Sequence, residues 1–345
     1  MAQVEIKTPL AVLDGLGRPG NFGWSRLPLF EYDPNLIRAS RGLINESDRY
    51  IIFSSTHLFI FEILDGGCLG YIGISVISIK DKQRTAQIFT ASFPLGLFEM
   101  PANSETGSLK IQRKKGFINF ITREKGVRII KIDIPKLGHQ RRLRGEVVLF
   151  EPPGAQSIVT NMPWRRERDA FRCSRRSPWY IVEGVMQFGT SEVVFTRGNA
   201  WGIFDWNRGV RPHGPHGDIR YWAAACGACG VRQVGFSIGY GSADSGQGTE
   251  NAFFLDGKLH KLDQVTFHIS PANWLLPWHF TSNDNRLDMI LKPYQEWPDQ
   301  NRMLFHSLKR RQVCGFFTGK VILDDGSPLE FQNINGFAER RKTRF

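Results

Sequence analysis

The sequence predicts an all-β protein built as two antiparallel β-barrels or half-barrels packed together. Three observations carry this. Short runs rich in Ile, Phe and Val recur along the chain, separated by polar or glycine-containing turns. Residues that pack well on a pleated surface and residues that turn tightly are both plentiful, with 26 Phe, 9 Trp, 7 Tyr and 35 Gly. No long stretch carries the 3.6-residue periodicity of an amphipathic helix. At 345 residues the chain has length for two ordinary domains.

In chain order, residues 8–36 hold Pro9, Gly15, Gly17, Pro19, Gly20, Gly23, Pro28 and Pro34, the composition of an extended arm. Trp24 and Phe30 are its natural anchors. Strands are predicted over 50–53, 57–64, 69–79 and 86–90, with Asp65-Gly66-Gly67 as a hairpin signal. After the irregular Phe93-Pro94-Leu95-Gly96, a meander follows over 108–112, 117–122, 127–134 and 146–150, turning at 114–116 and 124–126. Residues 151–178 open with Pro152-Pro153-Gly154 and turn arginine-rich, which places the domain junction there, with domains over 1–160 and 161–345. The strand pattern resumes over 180–188, 192–195, 199–206, 219–225, 231–240, 252–255, 264–268, 279–281, 286–291, 313–318, 320–323 and 329–331. The Gly-punctuated runs 68–75 and 233–240 echo each other, as a duplicated sheet would.

A net charge of +12 raises the question of a polyanionic partner. The charge is spread, with its densest runs at Arg165, Arg166, Arg168, Arg172, Arg175 and Arg176, at 309–311 and at 340–344. No nucleic-acid motif accompanies them, so these runs read as solvated surface and no specific nucleic-acid partner is expected. The N-terminal residues carry no secretion signal, and the most apolar run, 69–79, is broken by glycine and serine and too short to span a bilayer. Five scattered cysteines are not a disulfide framework, so reduced thiols and a cytoplasmic location are expected.

Several segments occur in an order shared with one family: Gly23-Trp24-Ser25-Arg26, Phe93-Pro94-Leu95-Gly96, 201–209, Gly239-Tyr240-Gly241, Thr249-Glu250-Asn251, Pro277-Trp278, 318–321 and 336–339. On these the chain resembles, over nearly its whole length, a microbial family catalogued as a domain of unknown function. That family is distantly similar to tandem lipocalin-like proteins such as carotenoid 1,2-hydratase, tocopherol cyclase and some fungal Diels–Alderases. The resemblance implies lipocalin-like (calycin-like) barrels; it transfers architecture and no catalytic residues.

The segment Trp201-Gly202-Ile203-Phe204-Asp205-Trp206-Asn207-Arg208-Gly209 concentrates aromatic and charged side chains. If extended, it places Trp201, Ile203 and Asp205 on one face and Phe204, Trp206 and Arg208 on the other. Asp205 beside aromatic surface is a candidate general acid or base, with an ion pair to Arg208 as its structural alternative. Arg208 has the fork to grip a carboxylate or phosphate. Glu250 and Asn251, between the Gly/Ser-rich 241–248 loop and a strand, can face a barrel mouth or satisfy a turn. If Asp205 and Glu250 converge they form a proton-transfer pair. Trp201, Trp222, Tyr240 and Trp278 are candidate pocket aromatics, although most aromatics in a sheet protein are core. His213, His216 and Asp218 lack further ligands for a metal. Cys226-Gly227-Ala228-Cys229 lacks the second CxxC of a zinc site and reads as a hairpin turn. Gly15-Leu16-Gly17-Arg18-Pro19-Gly20 has no strand–helix frame for a dinucleotide. No metal or cofactor is expected. The function these features suggest is a pocket for a hydrophobic or amphipathic small molecule. It is used either for cofactor-independent isomerase, hydratase or cyclase chemistry or by a non-catalytic carrier.

Overall fold

A computed structural model describes residues 3–113, 115–124, 126–138, 141–165, 167–213, 217–241, 243–303 and 306–344. The protein is all-β: antiparallel strands, one short parallel pair (Leu10–Ala11 with Phe30–Glu31) and two single-turn 3-10 segments, Pro34–Leu36 and Arg41–Leu43, account for the described elements. The chain forms two compact units, and they are interleaved. One comprises Met1–Arg38, Gln156–Pro178 and Gly209–Phe345; the other comprises Ala39–Ala155 and Trp179–Arg208. Compactness therefore follows a different division from a cut near residue 160, because the arm at the start of the chain belongs with the later strands.

In the unit containing Ala39–Ala155, Glu46–Phe53, His57–Asp65, Leu69–Ser78 and Gln83–Ser92 form one antiparallel meander. Ser108–Arg113, Gly116–Arg123, Val127–Leu137 and Arg141–Phe150 form a second. Residues 201–207 pair with the first meander and residues 181–188 with the second, so the sheet curls as a half-barrel. Its core stacks Tyr50 between Phe120 and Phe204, and the Arg128 guanidinium lies 3.7 Å from the Phe204 ring centre. Arg128 donates to the Tyr180 hydroxyl, the Thr122 hydroxyl and the Ser104 carbonyl, so this buried cation is held by three acceptors.

The other unit carries a nine-stranded antiparallel sheet among the described residues. Its strands run in the order Lys258–Lys261, Ala252–Leu255, Arg232–Tyr240, Gly217–Cys229, Pro328–Arg344, His306–Ile322, Leu287–Met303, Trp278–Ser282 and Val265–His268. Tyr240 and Phe267, on strands far apart in that order, meet edge to face at 5.4 Å, so the sheet curls back on itself. One face is filled by Ala223, Ala225, Phe236, Phe253, Trp278, Phe280 and Phe317 with their neighbours, a packed core. On the opposite face Trp24 of the arm packs with Ile158, Ala252, Phe254 and Leu259. The arm strand Gly23–Ser25 pairs with Ile158–Pro163, which pairs in turn with residues 171–176.

Three local expectations change. Much of the arginine-rich stretch is strand covered on both faces: Arg176 is buried fully and Arg175, on the opposite face, nearly so, while Arg165 and Arg168 stay exposed. Cys226 and Cys229 lie within a strand, paired with Gly235 and Arg232, so the hairpin turns one step later at Gly230-Val231. The last three long strands extend well beyond their apolar centres, because cross-strand pairs such as Arg310–Asp299 (3.0 Å) and Arg311–Glu296 carry them through charged sequence. No helix among the described residues is long and apolar enough to cross a membrane.

Candidate functional site

Glu250 is the centre of the arrangement with most chemical content. It precedes the Ala252–Leu255 strand, and its carboxylate is buried. Strand alternation brings three guanidinium groups to it. Arg172 and Arg176, four residues apart in one strand, share a face; Arg220 comes from the Gly217–Cys229 strand. Their nitrogens lie 2.7, 2.6 and 3.4 Å from Glu250 Oε2. Trp222, on the same face as Arg220, is the platform beneath them: the Arg176 and Arg220 guanidinium carbons sit 5.1 and 5.6 Å from its ring centre. Its indole N–H donates to Ser237 Oγ at 3.0 Å.

Among the described residues the second carboxylate oxygen, Oε1, has no hydrogen-bond partner. It lies against Gly239, where an added Cβ would come within 2.5 Å of it and within 2.5 Å of the Tyr221 carbonyl. A glycine is needed here for close approach rather than for an unusual backbone angle. Asn251 fixes that approach, accepting from the Gly239 N–H at 2.6 Å and donating to the Asp263 carbonyl at 2.7 Å.

A cavity of about 280 Å³ opens beside this cluster. Its wall includes Met162, Arg172, Tyr240, Glu250, Asn251 and Val265, mixing apolar, aromatic and charged groups. Tyr240 stacks on Tyr221 at 4.8 Å and keeps 38% of its surface exposed. Burial and the neighbouring Tyr221 push its hydroxyl up to about 12, so it is a neutral donor at physiological pH.

Behind the cavity, Lys261 donates to Thr249 Oγ1 (2.5 Å), the Asn251 carbonyl (3.0 Å) and the Leu262 carbonyl (2.6 Å). Burial pulls this ammonium down to about 7. The chain start completes the support. Gln3 Oε1 accepts from the Thr249 N–H (2.9 Å) and its Nε2 donates to Asp263 Oδ1 (2.6 Å), while the Val4 N–H donates to the Gln247 carbonyl (2.7 Å).

Of the residues singled out in the sequence, the structure brings Glu250, Asn251 and Tyr240 to one cavity. Trp222 lies behind it under the arginines. Trp278 is fully buried in the core of the same unit, its indole N–H bonded to the Trp274 carbonyl at 3.0 Å. Trp201, Asp205 and Arg208 belong to the other unit. There the predicted alternation holds. Arg208 lies over Trp206 and pairs with Asp48 at 2.8 Å, while Asp205 lies opposite Arg49, which is itself 3.5 Å from Glu62. The carboxylates paired with Arg208 are thus Asp48 and, at 3.9 Å, Glu46, rather than Asp205. His216 lies outside the described residues; His213 is exposed, 3.8 Å from Glu167. No group of His, Cys, Asp and Glu among the described residues could hold a metal ion.

Arg172, Arg176, Arg220, Lys261 and Gln3 were not legible as site residues. The one available signal was the spacing of Arg172, Ser174 and Arg176, which puts like residues on one face of a strand.

The model of the family described as a domain of unknown function (DUF2804) matches residues 3–345, so the chain belongs to that family. No curated protein matches it. Among solved structures, CghA is similar with 11% identity, 97% of this chain and 96% of that chain covered, and a TM-score of 0.56. CghA with Sch210972 is similar with 12% identity, coverage of 88% and 89%, and a TM-score of 0.55. Kievitone hydratase from Nectria haematococca follows at 10% identity, coverage of 86% and 88%, and a TM-score of 0.49. The likeness to CghA over nearly the whole of both chains shows a shared fold, that of the lipocalin-like barrel proteins.

Proposed function

We propose that this DUF2804 protein binds a small amphipathic molecule in the cavity beside Glu250 and performs cofactor-independent acid–base chemistry on it, with Glu250 as the proton-transfer group. The observation that carries the reading is the asymmetry of that carboxylate. One oxygen is fixed by three guanidinium groups and the other is buried with no hydrogen-bond partner among the described residues, at the wall of a cavity of mixed polarity. Buried polar atoms are almost always satisfied, and each exception asks for an explanation. A rigidly held proton acceptor with a lone pair committed to no other group is one, because acid–base catalysis needs both a fixed position and a free lone pair. Apolar Met162 and Val265 with the Tyr240 ring would take the ligand body; Tyr240, Thr249 and Gln264 offer hydroxyl and amide groups to orient it. That a CghA structure holds Sch210972 supports a small-molecule role for a chain of this fold. The sequence-based candidate Asp205 remains a separate proposal, since it lies in the other unit and the reading does not draw on it.

The experiment extracts purified protein with organic solvent and identifies co-purifying small molecules by mass spectrometry, then incubates them with wild-type protein and Glu250→Gln. The proposal expects a bound amphiphile that wild type converts and Glu250→Gln binds without converting. Binding with no conversion by wild type is the carrier outcome and removes the catalytic half. Undiminished conversion by Glu250→Gln removes Glu250 from the chemistry.

A further inference from the structure

We infer that the cavity selects amphiphiles with a single carboxylate, read by Arg172 with support from Arg165. This rests on the small-molecule reading above and adds the chemical class of the ligand. Two guanidinium groups, Arg165 and Arg172, line the cavity, against one carboxylate, Glu250. That carboxylate is already shared: Arg172, Arg176 and Arg220 all converge on its Oε2. Arg172 gives Glu250 one terminal nitrogen, and its Nε is buried with no partner among the described residues. Its side chain keeps 17% exposure at the cavity wall. A guanidinium binds a carboxylate best through two parallel N–H donors, and Arg172 has donor capacity beyond what Glu250 uses. Arg165 is exposed at the same wall and adds a second positive charge.

Glu250 also limits the ligand's charge. The charged groups that line the cavity, two guanidiniums against one carboxylate, leave one net positive charge, which a single carboxylate on the ligand balances. The volume limits its size. At about 30 Å³ for a water-sized group, roughly nine such groups fill the cavity. A straight-chain acid such as octanoate is of that size, its alkyl chain against Met162 and Val265.

The test is isothermal titration of the full chain with octanoate, 1-octanol and methyl octanoate at 50 and 500 mM KCl, using wild type, Arg172→Met, Arg165→Met and Glu250→Gln. The inference expects octanoate to bind at least tenfold tighter than either neutral analogue at 50 mM KCl, and to weaken several-fold at 500 mM while octanol does not change. Arg172→Met loses at least tenfold for octanoate and little for octanol. Glu250→Gln, which removes the competing carboxylate, binds octanoate more tightly. Arg165 is exposed, so Arg165→Met folds whether or not Arg172→Met does, and it lowers octanoate affinity two- to fivefold. Equal binding of octanoate and octanol overturns the carboxylate inference and leaves the small-molecule cavity standing. Binding of none of the three overturns both.

Discussion

Gly239→Ala is the substitution that most sharply tests whether Glu250 is held as described. The added methyl would sit 2.5 Å from Glu250 Oε1, 2.5 Å from the Tyr221 carbonyl and 3.4 Å from Trp222 Cα. The carbonyl cannot retreat, because residues 221 and 240 are paired partners within the sheet. Glu250 must therefore move, and moving it breaks contacts to three arginines. Inserting a methyl where there is no room costs about 1–3 kcal/mol. Losing one hydrogen bond to a charged group adds roughly 1.5–3 kcal/mol. Ala restores about 0.5–1 kcal/mol over Gly in a strand interior. The net expectation is a loss of about 1.5–5.5 kcal/mol. Gly227, in the neighbouring strand of the same sheet, is the control, since an added Cβ there meets Ile334 at an ordinary 3.5 Å. Urea denaturation followed by tryptophan fluorescence compares the two midpoints, with m-values checked for equality. Gly227→Ala should be neutral or slightly stabilising and Gly239→Ala strongly destabilising. If Gly239→Ala were as stable as Gly227→Ala, the tight approach of Glu250 to the strand would be refuted.

Lys261 sets a pH dependence. Its folded value of about 7 lies below the ordinary 10.5, so the folded state binds fewer protons between those limits. Stability from this group is full above pH 10.5, falls as pH drops toward 7 by at most about 1.4 kcal/mol per unit, and is flat below. The difference in urea midpoint between wild type and Lys261→Met, followed from pH 7 to 10, should show that slope; a flat difference would mean Lys261 titrates normally. Gln3→Ala removes the acceptor of the Thr249 N–H. Amide exchange at residues 247–251 should then speed up by about tenfold, as for loss of one net hydrogen bond of about 1 kcal/mol or slightly more, with exchange in the 218–228 strand unchanged. Trp222→Phe deletes the donor to Ser237 and the best ring for two guanidinium groups. A loss of about 1–3 kcal/mol in the same denaturation assay is expected, and none would deny Trp222 its supporting role.

The sequence revealed the fold because strand periodicity and turn chemistry are local. The hairpin at 65–67, the meander from 108 to 150 and the alternation of 201–208 all follow from neighbouring residues. It also pointed to Glu250, Asn251 and Tyr240, since acid, amide and aromatic groups stood beside a glycine-rich loop and a strand end. What it could not reveal is non-local. Arg172 and Arg220 are 78 and 30 residues from Glu250, and Gln3 is 246 residues from Thr249. No spacing rule links such positions. The basic run at 165–176 misled for the opposite reason. Composition alone reads as surface, whereas pairing of 171–176 with 158–163 turns alternate arginines inward, where a single carboxylate and one indole ring hold them.

The most direct test of the account is a crystal structure of the protein saturated with octanoate. The account predicts the molecule in the cavity beside Glu250, its carboxylate on Arg172 and its chain between Met162, Tyr240 and Val265. Octanoate bound elsewhere with the cavity empty, or octanoate in the cavity with its methyl end turned to Arg172, would contradict it.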